Sequence, residues 1–325
     1  MPRILLAAAL FVAASPSPAQ TLSTVQLQEL RRVDARLAAI AYRLTRANAP
    51  LCTDLQRQTG IVLHALDQYA PDTRANARSV FGFAAPVAVE AVVRGSVAEQ
   101  AGVRADDGVV AIGGTRLAAS AGDAATSADR DAAVALLAQP ANDTVALDVV
   151  RDGARKALRI AASPGCASSF EVLLGPGMTA QSDGKIVQIA VGYFERYTDD
   201  EVAVIVAHEL AHSILHHRER LDAAGVNGGL LAELGRNGRL NRLIEDQADQ
   251  LGVHLLRNAG YDPQSAPKFW RAHGGEIDGG LFRSRTHRSS SARADRIEAE
   301  IKAIPANAPI PYTPPMLATR DAKLQ

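Results

Sequence analysis

The sequence predicts an α+β chain in which a helical domain carrying a small sheet is interrupted by a β-rich module. Three observations predict it. Leu27, Leu30, Val33, Leu37, Ile40, Ala41 and Leu44 recur at helical spacing with Arg and Glu between them, which marks an amphipathic helix over Thr24 to Leu44. From residue 76 to 163 the texture changes to short Val-rich runs with Gly and Asp at turns, interrupted by one helical stretch, Asp129 to Ala138. Beyond residue 198 two helical patterns return, each carrying imidazole or carboxylate groups four residues apart.

Composition narrows the function classes. A chain of 325 residues is about two domains, each able to bury a core. Lys plus Arg and Asp plus Glu both number 35, so no net field gathers nucleic acid over the surface, and nucleic acid is not an expected partner. Arg3, the apolar run Ile4 to Ala14 and the small residues ending at Ala19 form the pattern of a secretory signal peptide over residues 1–19. The expected location is therefore the periplasm or cell envelope. No later run is apolar and long enough to span a bilayer, so the mature chain is expected to have no integral membrane segment. Cys52 and Cys166 are two cysteines in a chain read as exported, which favours one disulfide, with two buried thiols as the alternative.

Thr198-Asp199-Asp200-Glu201 has the Thr-x-x-Glu form of a capping box, so a helix starts there. On it lies His208-Glu209-Leu210-Ala211-His212, in which both imidazoles share a helix face and Glu209 sits beside them. A second helical stretch, about Leu240 to Asn258, carries Glu245 and Asp249 and stops at Gly260. Glu245 completes a two-His, one-Glu zinc site with one zinc per chain, and Asp249 orients a ligand imidazole from behind. A metzincin pattern is excluded, because the third His it requires is Arg218 here and no Gly precedes it. His216, one turn beyond His212, reads as a polar support rather than a ligand. Gly225, Gly228, Gly229, Gly235 and Gly238 mark a mobile stretch between the two metal helices, able to gate the cleft.

These motifs resemble the gluzincin zinc metallopeptidases of family forty-eight, of the HtpX and BepA type, over roughly Ser169 to Ile304. The matching residues are His208 to His212, Glu245 to Asp249, and Thr286-His287 with Arg293 six residues on. The family's Pro after the Thr-His pair is Arg288 here, and Arg296 is a second candidate for its basic residue. The resemblance implies a zincin-like catalytic domain in which zinc acidifies a water and Glu209 takes its proton and returns it to the leaving amine. It further implies that His287 and Arg293 steady the oxyanion. Strand Lys185 to Ala190 offers an edge along which substrate backbone can pair, or is a core strand.

Within the β-rich module, Phe81-Gly82-Phe83, Val89 to Val103 and Val109 to Gly114 resemble the PDZ domains of bacterial envelope proteases. The resemblance implies peptide binding, with backbone amides around Phe81, Gly82 and Phe83 holding a carboxylate. Asp152-Gly153 marks a hairpin between two of its strands, while Asp106-Asp107-Gly108 departs from the usual turn. The chain thus divides into a signal peptide (1–19), a helix and strand of the peptidase (20–75), the PDZ-like module (76–163), the catalytic domain (164–304) and a loose Pro-rich tail (305–325). The expected partners are polypeptide substrates, misfolded envelope proteins in a quality-control role. The rival expectation is a non-catalytic periplasmic chaperone or adaptor with a structural zinc.

Overall fold

A computed structural model describes residues 21–119, 122, 124–139, 144–226, 235–277 and 289–324. The expected signal peptide at 1–19 lies outside the described residues, as do Gly228, Gly229, Thr286, His287 and Arg288. Among the described residues no helix is long and apolar enough to cross a membrane.

Helix α1 (Thr24–Ala47) starts at a capping box between Ser23 and Gln26 and buries Leu27, Leu37, Ile40 and Leu44, as the spacing requires. Strand β1 (Leu55–Gln58) then leads into the insert. The insert comprises β2 (Ile61–Ala65), α2 (Arg74–Phe81), β3 (Val87–Val92), α3 (Val97–Gln100), β4 (Gly108–Ile112), β5 (Thr115–Arg116), α4 (Ala128–Ala138), β6 (Thr144–Arg151) and β7 (Ala154–Ala161). One antiparallel sheet runs in the order β2, β3, β4, β6, β7, with β5 paired to β4. Along β6, Val145, Leu147 and Val149 point inward and alternate with exposed Thr144, Ala146 and Asp148, the period of a strand with one wet face. Asp152 (φ 53°) and Gly153 (φ 74°) make the β6–β7 hairpin with the two left-handed residues that its tight turn needs. In the turn before β4, Asp106 is left-handed (φ 68°), and buried Asp107 accepts two 2.6 Å bonds from Arg151.

The boundary expected near residue 76 moves. Leu63 and Ala65 of β2 pack with Val87, Val89 and Val109, so β2 belongs to the insert's core rather than to the helical domain. The chain enters on β1 and leaves on β8 (Ser163–Cys166), paired antiparallel from Leu55 with Cys166 to Gln58 with Ser163. The insert is therefore residues 59–162. A Cys52–Cys166 disulfide closes the same neck across 114 residues of chain. In the chain-entropy picture a loop of that length contributes about 4 to 5 kcal/mol.

Past the neck come β9 (Ser169–Leu173), β10 (Ala180–Ser182) and β11 (Ile186–Ala190), then α5 (Val191–Arg196) and α6 (Asp199–Ile214). The remaining helices are α7 (His217–Ala223), α8 (Gly235–Asn258), α9 (Ser265–Ile277) and α10 (Ser290–Ala303). Strand β11, read as a possible substrate edge, is central: it pairs with β10 on one side and β9 on the other, and Val187 and Ile189 are fully buried. The edge is β10. The glycine stretch also reads differently at its end, since α8 begins at Gly235 and Gly238 is buried inside it. The C-terminal segment is packed rather than loose. Asn258 on α8 donates to Tyr312 O (3.0 Å), Arg320 donates to Leu51 O (2.7 Å), and Leu317 and Leu324 are buried.

Insert and helical domain meet along α1 in a set of charged groups. Arg31 contacts Asp106 and stacks 4.5 Å over Phe81, while Arg130 on α4 bonds Glu171 on β9 at 2.8 Å. Among them lie two carboxyls with raised affinity for protons. Burial pushes Asp34 up to about 7 against the opposing charge of Arg130, and burial with the Asp34 charge pushes Glu90 up to about 8. Both groups lose their protons near ordinary carboxyl pKa values, about 4, once the chain unfolds. Between about pH 4 and pH 8 the folded chain binds more protons, so this pair's stabilisation is complete below that window and is lost as pH rises through it. Unfolding midpoints measured from pH 5 to 8.5 should therefore fall in wild type relative to Glu90→Gln. A wild-type midpoint that rises relative to the variant, or parallel profiles, would contradict the assignment.

Candidate metal centre

Helix α6 begins where the sequence places it: Glu201 Oε2 accepts from Thr198 N at 2.9 Å and Thr198 Oγ1 accepts from Glu201 N at 3.4 Å. Every residue from Val202 to Ala207 is buried, so the helix is apolar all round and sits inside the core. That burial presses its C-terminal half against α8, and His208 and His212 face Glu245.

The three groups converge. His208 Nε2 lies 3.2 Å from His212 Nε2 and 3.2 Å from Glu245 Oε2, and His212 Nε2 lies 3.6 Å from Glu245 Oε1. One donor atom from each residue falls within 4.8 Å of the others, a spacing at which they can hold one metal ion. Two imidazole nitrogens and a carboxylate form a donor set that suits a divalent first-row metal. Glu209, the neighbouring carboxylate on α6, is 8 % exposed.

Asp249 lies beneath His208, with Oδ1 3.0 Å from its Nδ1. A carboxylate only accepts, so His208 carries a proton on Nδ1 and Nε2 is the ring atom that faces the donor cluster. Burial alone would raise the Asp249 carboxyl, but Arg293 and His208 outweigh it and hold the group low, at about 2. Arg293 grips Asp249 through Nε to Oδ2 (2.8 Å) and Nη2 to Oδ1 (2.7 Å), and its guanidinium stacks 3.4 Å over Trp270.

That placement corrects the role expected for Arg293. At 3 % exposure its guanidinium bonds Asp249 and stacks on Trp270, so through Asp249 it supports His208. Arg296 reaches Asp246 at 3.3 Å. His287 lies outside the described residues. His216 supports the fold away from the donors, bonded to Asp321 Oδ1 (2.7 Å) and Thr53 Oγ1 (3.2 Å). Its neighbour His217 reaches His212: their Nδ1 atoms are 3.0 Å apart. Helical spacing could not reveal this, because His216 is left-handed (φ 51°) and starts a new helix, α7, in a new direction.

The Phe81-Gly82-Phe83 carboxylate loop is also corrected. Phe81 is fully buried with Leu27, Tyr69 and Ala77. The amides expected to hold a carboxylate are engaged inside the turn, Gly82 N on Arg78 O (3.0 Å) and Phe83 N on Phe81 O (2.8 Å). Gly82 (φ 72°) ends α2 as a C-terminal glycine does.

No protein-family model matches the chain. The chain is 28% identical over 121 residues to the mitochondrial metalloendopeptidase OMA1 of Schizosaccharomyces pombe, covering 31% of this chain and 36% of that protein. The chain thus spans about a third of the relative's length. Among solved structures, the HtrA3 PDZ domain bound to a phage-derived ligand aligns with 34% of this chain and 89% of its own, at 18% identity and a TM-score of 0.25.

The support behind His208 can be measured. Asp249→Ala should weaken divalent-metal affinity by about tenfold to a hundredfold in a chelator competition. Arg293→Met, which strips the buried carboxylate of this cation, should destabilise the fold by about 3 to 5 kcal/mol. Unchanged metal affinity in Asp249→Ala would show that the bond to His208 orients nothing.

Proposed function

We propose that this chain is a zinc metalloendopeptidase that hydrolyses peptide bonds of unfolded or damaged proteins in the cell envelope. The observation that carries the reading is the spacing of the His208, His212 and Glu245 donors. Ligand bonds of about 2.0 to 2.2 Å at tetrahedral angles put ligand atoms about 3.2 to 3.6 Å apart. The two imidazole Nε2 atoms, 3.2 Å apart, and His208 Nε2 with Glu245 Oε2, also 3.2 Å apart, meet that requirement, while the other Glu245 oxygen, Oε1, lies 3.6 Å from His212 Nε2. Zinc held there supplies Lewis acidity, making a water nucleophilic near neutral pH.

Glu209, on the same helix as both imidazoles, is the general base: it takes a proton from the attacking water and gives it to the leaving amine. His208 is held in its working tautomer by Asp249, itself held by Arg293. His287 is assigned to steady the carbonyl oxygen, on the motif resemblance. Strand β10 is the substrate edge, seated on α6 by a 2.9 Å bond between Ser182 Oγ and Ser213 Oγ, one residue past His212. The three motifs of His208 to His212, Glu245 to Asp249 and Thr286-His287 support kinship with family forty-eight, and the distant likeness to a metalloendopeptidase agrees.

The insert is assigned to peptide capture. Strand β2 pairs with β3 on one side and is otherwise the end of its sheet, with α4 packed nearby. An extended peptide adds to such an edge, and the neighbouring helix walls the groove. Captured chain is then held at raised local concentration near the metal centre. Export is supported by the Cys52–Cys166 disulfide and the leader pattern at residues 1–19.

Glu209→Gln should keep about one zinc per chain and lower peptide hydrolysis by at least about a hundredfold. Equal hydrolysis by the variant would remove Glu209 as base. Zinc retention with no hydrolysis in wild type would favour a binding protein instead. Replacing residues 59–162 by a short linker should leave small peptides cleaved while slowing the cutting of long unfolded chains. Equal rates on long chains, in a variant shown by circular dichroism to be folded, would show that the insert does not deliver substrate.

A further inference from the structure

Behind His208 stands a carboxylate locked by an arginine. Behind His212 stands a different chain of groups, which no motif in the sequence announced: His217, Gln247 and Arg220. Donor and acceptor chemistry fixes every proton in it. Arg220 Nη1 lies 3.1 Å from Gln247 Oε1. A guanidinium only donates, so the amide atom facing it is the oxygen and the orientation of Gln247 is determined. His217 Nε2 lies 3.2 Å from that same oxygen. An amide oxygen only accepts, so His217 carries a hydrogen on Nε2 and a neutral ring then has a bare Nδ1. That bare nitrogen faces His212 Nδ1 at 3.0 Å. His212 must therefore donate from Nδ1, and its own lone pair falls on Nε2, the atom 3.2 Å from His208 Nε2 and 3.6 Å from Glu245 Oε1.

We propose that His217 is a positioning residue for the metal centre: with its tautomer set by Gln247 and Arg220, it accepts the Nδ1 hydrogen of His212 and aims the Nε2 lone pair at the metal. This rests on the reading of His208, His212 and Glu245 as a metal site. The backbone prepares it. His216 adopts the left-handed conformation (φ 51°), which is unfavourable for a residue with a side chain, and bonds to Asp321 and Thr53 hold it there. The turn swings His217 under His212, where it is 1 % exposed. The two metal histidines are thus oriented by unlike groups. Asp249 brings a negative charge to His208, whereas a neutral imidazole orients His212 and adds none, so the pair fixes two lone pairs while adding one charge.

The experiment uses the full chain and compares two nearly isosteric changes, His217→Asn and His217→Leu. Asn keeps an acceptor oxygen near the place of Nδ1, and Leu does not. Zinc affinity by chelator competition should fall by about tenfold to a hundredfold in His217→Leu and stay within about threefold of wild type in His217→Asn. Equal affinity in all three, or equal losses in both variants, would overturn the proposal, since packing alone would then account for His217. Long-range nitrogen–proton correlations of the histidine rings in zinc-loaded wild type decide the same point without a variant. The expected pattern is hydrogen on Nε2 of His217 and on Nδ1 of His212, and hydrogen on Nδ1 of His217 would overturn the relay. Wild-type protein that takes up no zinc would sink the metal-centre reading, while the same spectrum, recorded without metal, would still judge the hydrogen-bond chain.

Discussion

The contact between α6 and α8 is the interaction on which the rest depends. Helix α6 is buried on all faces from Val202 to Ala207, and α8 lays Ala248, Leu251, Val253 and Leu255 into the same core. Two imidazoles four residues apart lie on one helix face whatever surrounds them. What turns them into a centre is an opposing helix at packing distance with Glu245 at the same height. Close-packed interiors transmit small displacements, so the placement of these three side chains is as firm as the apolar contact behind it.

Around that contact the polar groups are arranged in depth. Arg293 holds Asp249, which holds His208, and Trp270 backs the guanidinium. Arg220 holds Gln247, which holds His217, which meets His212. Buried polar groups of this kind are costly unless each has a partner, and here every bond of the two chains ends on a donor or acceptor of fixed sense. The C-terminal segment completes the second chain from outside, with Asp321 on His216 and Ala322 O accepting from Arg220 Nε at 3.0 Å.

The insert is joined by different means. A two-stranded neck and a disulfide anchor its two ends, and the charged groups along α1 hold its flank. Local pattern made much of the fold legible. The capping box at Thr198, the helix of Leu27 to Leu44, the left-handed pair Asp152-Gly153 and the convergence of His208, His212 and Glu245 all appear where the residues place them. The misreadings share one cause. Strand Ile61 to Ala65 looks the same whether it joins one sheet or another, and Ile186 to Ala190 looks the same at an edge or in the centre, because each pattern records burial and not the identity of the neighbour. Phe81-Gly82-Phe83 shows an apolar turn in sequence and gives no sign that its amides are already engaged.

By itself the sequence determined the two helices that carry His208, His212 and Glu245, the four-residue spacing upon them, the place of Asp249 one turn beyond Glu245 and the existence of a β-rich insert. Those properties depend on residues within about one or two helical turns of each other, or on one run of changed composition. Only the tertiary structure decided that β2 belongs to the insert, that β11 is the central strand of its sheet, that the C-terminal segment is packed and that His217 reaches His212. Each of those depends on segments far apart in the chain, or on the direction taken through a single left-handed residue, and such contacts are settled by the packing of whole elements rather than by any local preference.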